Sequence, residues 1–207
     1  MGSSGTRMAI AAMSNVTHVE KLEIAALLRS FQENAKKGGD PSLLTRSKFN
    51  ESLRFVGINQ NDADIFDRLF TMYDKTGDDQ IVFRDLIVGV CPLISGSLIE
   101  KIYFSFQMFC ADDRDDDMIR ETILRASDMI NVLSQMNRVA SYFGDPVLTD
   151  DQVTNLILDV VDIAGLSSDG LAALIDCSAH SKTIAEHPIV QLFISGGGTV
   201  QYGVSRS

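Results

Sequence analysis

A twelve-residue stretch, DKTGDDQIVFRD from Asp74 to Asp85, constrains the fold of this chain more than any other feature. Side-chain oxygens fall at its first, third, fifth and twelfth places, and the apolar, β-branched Ile81 falls at the eighth. In a calcium loop of this length, places 1, 3, 5, 7, 9 and 12 surround a hard cation with oxygen ligands. Apolar residues at helical spacing flank the stretch, so the sequence predicts helix, loop and helix. The candidate metal ligands are Asp74, Thr76, Asp78, Gln80 through its backbone carbonyl, and Asp85.

Helix-loop-helix units with this ligand spacing are EF-hands, and two details weaken the calcium site of this one. Asp85 stands at the twelfth place, where Glu is usual, and its shorter side chain reaches an ion less easily with both oxygens. Asp79 stands at the sixth place, where Gly usually makes a sharp turn, although Asp tolerates positive φ better than most residues. We expect one site for Ca²⁺ or Mg²⁺ in this loop. The alternative is a hand kept for its shape, without an ion.

An earlier stretch resembles the second half of such a loop but lacks the ligands. Leu44 falls at the eighth place, and Lys48 then falls at the twelfth. Lys is a donor without an acceptor, so it cannot ligate a cation. Because the short strand around Ile81 needs a partner strand, we predict that Leu44 pairs with it. The first and second hands then form one lobe, with an ion-free first hand.

A third hand is predicted around five closely spaced aspartates between residues 112 and 117. With Ile119 at the eighth place, Ile123 stands at the twelfth, where a carboxylate is needed. Counting from Cys110 instead puts Glu121 at the twelfth place but Asp117 at the apolar eighth. Neither register gives a full ligand set, so we expect a solvated acidic loop.

A fourth hand is predicted with Leu166 at the eighth place and Gly170 at the twelfth, again without a ligand set. Among the helices, Thr17 and Glu20 form one predicted capping box. A long apolar helical pattern runs from Ile123 to Tyr142. These patterns predict four hands in all, of which only the second is intact.

Composition excludes several classes of function. A net charge of −10 argues against nucleic acid and suits metal ions or a basic peptide. The three cysteines, Cys91, Cys110 and Cys177, lack metal-ligand spacing and indicate reduced, intracellular thiols. No apolar run long enough to span a bilayer and no secretory signal is present. The three histidines are dispersed and no nucleophile accompanies a base, so we expect no enzyme.

The first six residues, MGSSGT, match the N-myristoylation pattern, with Gly2 as the acceptor. The alternative is an expression-vector remnant, since Met-Gly-Ser-Ser openings are common there. A single myristoyl chain gives only weak membrane association. Gly2 is therefore a candidate lipidation site with both interpretations open.

Four predicted hands, Cys91-Pro92 after the intact loop, the helix of residues 100–106 and a late His187-Pro188 resemble the calcineurin B and calcineurin B-like group. Neuronal calcium sensors share that layout. The resemblance implies an all-α protein of two EF-hand lobes in the calmodulin-like superfamily, often myristoylated. It also implies a hydrophobic groove that holds an amphipathic helix of a partner protein.

These expectations define a working interpretation of the whole chain. We expect a flexible N-terminus at 1–13, an N-terminal lobe at 14–95, a C-terminal lobe at 96–186 and a tail at 187–207. The expected function is a non-catalytic, calcium-sensor-like regulatory or adaptor protein with at most one competent loop. The alternative is a metal-independent structural subunit of a larger cytoskeletal or ciliary assembly. We expect a cytoplasmic location, with membrane or cytoskeletal association as further options.

Overall fold

The computed structural model describes residues 19–37, 39–94, 96–111, 122–142 and 147–190. Gly2, Thr17 and the acidic segment at 112–121 lie outside these ranges, so the lipidation of Gly2 and the solvated acidic loop stay predictions. The same holds for the expected N-terminal segment 1–13 and for the tail beyond residue 190.

The described residues form helix-loop-helix units, and the loop of each unit contains a three-residue strand. In chain order the elements are α1 (Lys21–Lys36), β1 (Leu43–Thr45), α2 (Arg46–Val56), α3 (Gln60–Tyr73), β2 (Gln80–Val82), α4 (Phe83–Val90), a 3₁₀ turn (Cys91–Leu93), α5 (Leu98–Cys110), β3 (Ile123–Arg125), α6 (Ala126–Tyr142), α7 (Asp150–Ile163), a second 3₁₀ turn (Gly170–Ala172), β4 (Leu174–Asp176) and α8 (Cys177–Glu186).

The strands pair two by two and set the arrangement of the four hands. β1 pairs antiparallel with β2, and Leu44 lies opposite Ile81, as the sequence predicted. β3 pairs antiparallel with β4, and Leu124 lies opposite Ile175. The first hand therefore joins the second, and the third joins the fourth, in an all-α fold.

The third hand has neither of the predicted registers. Leu124 is the centre of β3, so it takes the eighth place instead of Ile119 or Asp117. Asp128 consequently falls at the twelfth place. The strand centre comes fourteen residues after the end of α5, against eight residues after the end of α3 in the second hand. The prediction was wrong because it assumed a loop only slightly longer than usual.

The fourth hand also has a later register than predicted. Ile175, the centre of β4, takes the eighth place instead of Leu166. Ala179 then takes the twelfth place instead of Gly170, and it has no side-chain oxygen. Extra residues in this loop form the turn Gly170–Ala172 before the strand.

Two predicted helix starts need correction. Helix α1 begins at Lys21 with Glu20 as its N-cap, and Glu23 Oε2 accepts a hydrogen bond from Glu20 N at 2.8 Å, so Thr17 is not the cap. Ile123 begins a strand, and α6 starts only at Ala126. Helices α5 and α7 begin with capping boxes, Ser97 with Glu100 and Thr149 with Gln152.

Buried side chains form two hydrophobic clusters. The first is built mainly from α1–α4 and includes Phe31, Phe49 and Phe70, all without solvent exposure. The second is built mainly from α5–α8. The division is incomplete, because α5 contributes Phe104 to the first cluster and Phe106 to the second. In the described ranges, no helix has the length and apolarity needed to cross a membrane.

Candidate metal-binding site

The loop from Asp74 to Asp85, here called the 74–85 loop, is folded by its own carboxylates. Asp74 Oδ1 accepts a hydrogen bond from Gly77 N at 2.8 Å, and Asp74 Oδ2 accepts one from Asp79 N at 3.0 Å. Asp78 Oδ1 accepts a hydrogen bond from Gln80 N at 3.2 Å. The residues from Lys75 to Gln80 are exposed. Each carboxylate oxygen has two lone pairs, so these contacts leave acceptor capacity for a cation.

The sharp turn in the loop is made by Asp79. Its φ is +58°, and no other non-glycine residue in the described ranges has a positive φ. The expectation that Asp at the sixth place adopts this conformation is confirmed. Left-handed backbone is costly for a residue with a Cβ, so surrounding contacts must hold it.

Those contacts come from Arg46, the first residue of α2 in the neighbouring hand. Arg46 N donates to Asp79 O at 3.0 Å, and Arg46 Nε donates to Asp79 Oδ1 at 2.8 Å. The hydrogen bond to the Asp79 carboxylate is the main cause that raises the pKa of Arg46. The first hand therefore supports the loop of the second directly.

Asp85, the predicted ligand at the twelfth place, lies in the first turn of α4 and is half-buried. Burial raises the pKa of its carboxyl group, and the charges of Arg138 and Lys75 oppose that rise. Among the residues that the structure describes, no three His, Cys, Asp or Glu side chains are grouped to hold a metal ion. The structure thus does not draw Asp74, Asp78 and Asp85 into one cluster.

The donor types nevertheless fit a hard cation. The candidate set offers carboxylate, hydroxyl and carbonyl oxygens and no sulfur or nitrogen, which is the chemistry that Ca²⁺ and Mg²⁺ prefer. Asp74, Thr76 and Asp78 would hold the ion from the loop, with Gln80 through its carbonyl and Asp85 from α4. When bound, the ion supplies a double positive charge that neutralises these acidic groups.

No family model matches the chain, and no solved structure matches it. Guanylyl cyclase-activating protein 2 of Lithobates pipiens is 27% identical over 154 residues, covering 72% of this chain and 76% of that protein. Calcium-binding protein NCSA of Dictyostelium discoideum is 24% identical over 131 residues, 63% of each chain. Human calaxin is 30% identical over 98 residues, 46% of each chain. The chain has an EF-hand fold and is similar in sequence to proteins of the neuronal calcium sensor group.

Two of these relatives carry names that describe a role. They are named for activating a cyclase or for binding calcium, and none is named for a reaction of its own. The chain is thus similar to an activator of a cyclase and to a calcium-binding protein. Calcium is the ion that the comparison with NCSA supports.

The first and fourth hands lack a carboxylate at the twelfth place, whereas the third hand has Asp128. Lys48 of the first hand donates from Nζ to the backbone oxygen of Asn34 at 2.6 Å, and the fourth hand has Ala179. Asp128 of the third hand was missed by the sequence reasoning. The spacing from Leu124 to Asp128 repeats that from Ile81 to Asp85 and is a signal that identifies it. Arg46 was also missed, because no local pattern marks a contact between two hands.

The three cysteines and the described His187 are not grouped with the candidate ligands. Cys91 and Cys177 are buried, Cys110 is exposed, and all three are free thiols. His187 Nε2 lies 3.1 Å from Asp159 Oδ2, between the end of α8 and α7. None of these groups joins the candidate ligand set.

Proposed function

We propose that this EF-hand protein is a regulatory or adaptor protein with one competent Ca²⁺ or Mg²⁺ site, the 74–85 loop, and that it binds an amphipathic helix of a partner protein. The observation that carries the proposal is a folded loop whose side chains supply oxygen donors at the ligand places, in a fold of paired hands. A cytoplasmic location belongs to the same proposal.

The first hand offers apolar side chains to a partner. Leu22 of α1 is 74% exposed and Phe55 of α2 is 82% exposed. The two helices pack on each other, so both side chains belong to one helical unit. An amphipathic helix binds such a surface with its apolar face, and the charge of −10 favours a basic opposite face.

Calorimetric titration tests the ion site. We expect wild-type protein to bind Ca²⁺ at one equivalent and Asp74→Ala to bind at least about tenfold more weakly, because one charged ligand is lost. Asp169→Ala is the matched control, since it removes an exposed carboxylate from the fourth hand. Absence of heat in wild-type protein would contradict the ion site, and equal loss in both variants would place binding elsewhere.

Co-purification with and without a chelator tests the partner surface. We expect Phe55→Asp to release the bound partner, because a charge then enters the apolar contact. Ile163→Asp is the control, since Ile163 is 63% exposed but lies at the end of α7. A partner that stays bound in chelator favours the alternative function, a metal-independent structural subunit. A partner unaffected by Phe55→Asp contradicts the proposed surface.

Gly2 remains part of the proposal as a lipidation site. An acyl chain there would add weak membrane association to a protein whose main contact is another protein. An intact-mass spectrum of protein from its native source decides whether the chain carries the acyl group or begins unmodified.

A further inference from the structure

Arg46 is held in one orientation by contacts with α3 of the second hand. Its Nη1 donates to Asp67 Oδ1 at 2.7 Å, and its Nη2 donates to Thr71 Oγ1 at 3.1 Å. The guanidinium carbon lies 4.4 Å from the centre of the Phe70 ring. Both acceptors and the ring belong to α3 of the second hand, so the side chain of Arg46 bridges two hands.

This arrangement differs from an ordinary surface ion pair. An exposed pair is worth little, because two mobile side chains must be ordered to make it. The Arg46 side chain is only 26% exposed, and its contacts on α3 fix the guanidinium before it reaches Asp79. The planar fork of Arg satisfies several acceptors at once, which the point charge of Lys cannot do.

Asp79 needs such support for two reasons. Its φ of +58° is unfavourable for a residue with a Cβ. Its carboxylate also stands at the sixth place, which is not a ligand place. The negative charge of Asp79 therefore adds to those of Asp74 and Asp78 without providing a ligand. The backbone N–H of Arg46 binds the backbone oxygen of Asp79 and so supports the turn. The guanidinium of Arg46 binds the Asp79 carboxylate and so compensates its charge.

We propose that Arg46 of the ion-free first hand is the positioning residue of the 74–85 loop: it holds Asp79 in its left-handed turn before an ion enters. The part concerning ion affinity rests on the proposed function. The part concerning the shape of the loop does not, because it applies to the ion-free protein.

Hydrogen exchange in the presence of a chelator tests the ion-free loop. Asp79 N and Gln80 N are the reporters, because both donate hydrogen bonds within the loop. We expect Arg46→Ala to increase their exchange rates about tenfold, the effect of losing one charge-assisted hydrogen bond. Arg54→Ala is the matched control, since it removes the same charge from an exposed position on α2. Unchanged exchange in Arg46→Ala overturns the proposal.

A double-mutant cycle with Asp79→Gly separates positioning from general stability. Gly adopts positive φ without strain and has no carboxylate, so the loop no longer needs Arg46. In the Asp79→Gly background, we expect Arg46→Ala to change loop exchange by less than about twofold, since the contacts to Asp67 and Thr71 lie on α3. An equal effect in both backgrounds would show that Arg46 acts only through α3, and would overturn the proposal.

Calorimetric titration then measures how these substitutions change the affinity for Ca²⁺. We expect Arg46→Ala to lower Ca²⁺ affinity about tenfold, Arg46→Lys to lower it less, and the added Asp79→Gly to restore it. Full affinity in Arg46→Ala contradicts the positioning role. If wild-type protein binds neither Ca²⁺ nor Mg²⁺, the proposed function fails while the exchange cycle still decides the role of Arg46.

Discussion

At the scale of single residues, Gly89 shows how closely the two pairs of hands approach each other. A Cβ at this position on α4 would lie 2.2 Å from Tyr73 Oη, 2.9 Å from Val139 Cγ2 and 3.2 Å from Gln135 O. Tyr73 Oη donates to that same Gln135 oxygen at 3.5 Å, and Arg138 stacks 5.0 Å from the Tyr73 ring centre. The absence of a side chain at Gly89 lets α4 and α6 pack directly.

We therefore predict that Gly89→Ala destabilises the protein by about 1–3 kcal/mol, the usual cost of overpacking a core. The free energy of unfolding in urea measures the effect. Tyr73→Phe in the same chain removes the hydroxyl that the new methyl group meets, so the double variant should regain part of the loss. No recovery in the double variant would mean that the clash lies with α6 alone.

At the scale of secondary-structure elements, the N-cap residues of α7 and α8 differ in charge. Asp176 Oδ1 caps α8 by accepting from Ser178 N at 2.8 Å and from Ser178 Oγ at 2.7 Å. These hydrogen bonds hold the pKa of Asp176 below its ordinary value of 3.8. Thr149 caps α7 with a hydroxyl, which does not titrate.

Asp176→Ala should cost about 1 kcal/mol of stability at neutral pH, the usual value of an N-cap. Because the pKa is lowered on folding, this contribution is present above pH 3.8 and is lost as the pH falls through the lower folded value. Urea unfolding at several pH values checks this. Thr149→Ala is the control, and its cost should not follow the protonation of one carboxylate.

The elements also show how far sequence reasoning reached. The second hand was predicted correctly because its strand centre, Ile81, lies at fixed spacing among oxygen-bearing residues. In the third and fourth hands no complete ligand set marks the register, and many apolar residues suit the eighth place. Leu124 and Ile175 are selected by pairing with each other, a contact between residues far apart in the sequence. Local spacing carries no information about that choice.

The same limit applies to the candidate site. The spacing of residues in the sequence was enough to predict the oxygen donors of the 74–85 loop and the positive φ at Asp79. The support from Arg46 could not be predicted from local spacing, because it depends on the pairing of β1 with β2 and on α2 starting beside the turn. Whether Asp85 completes the ligand set stays a prediction.

At the scale of the whole molecule, the two hydrophobic clusters share helices. On α4, Val88 belongs to the second cluster, whereas Ile87 and Val90 belong to the first. On α6, Val139 joins the first cluster and Met129 the second. The predicted boundary at residues 95 and 96 falls between the second and third hands. Both hydrophobic clusters contain residues from each side of this boundary.

We predict that both halves unfold in one transition. Cys91 lies in the first cluster and Cys177 in the second, and burial raises the pKa of both thiols, so each reacts with a thiol reagent only when its surroundings open. Pulse labelling in a urea series, with the exposed Cys110 replaced by Ser, should give the same midpoint for both.

Gly89→Ala supplies the control for this experiment, since a change at the shared packing surface should move both midpoints together. Two separate midpoints would show that the halves unfold independently.

The contact of Lys48 with Asn34 has a consequence for how the protein responds to its surroundings. The Lys48 ammonium group lies 2.6 Å from a carbonyl oxygen in the last turn of α1, so the first hand carries a positive charge that is covalently attached. A chelator removes an ion but cannot remove a side chain. The charge on the first hand is therefore the same with and without an ion in the proposed site of the 74–85 loop, so any response to an ion in this pair of hands is left to the second hand.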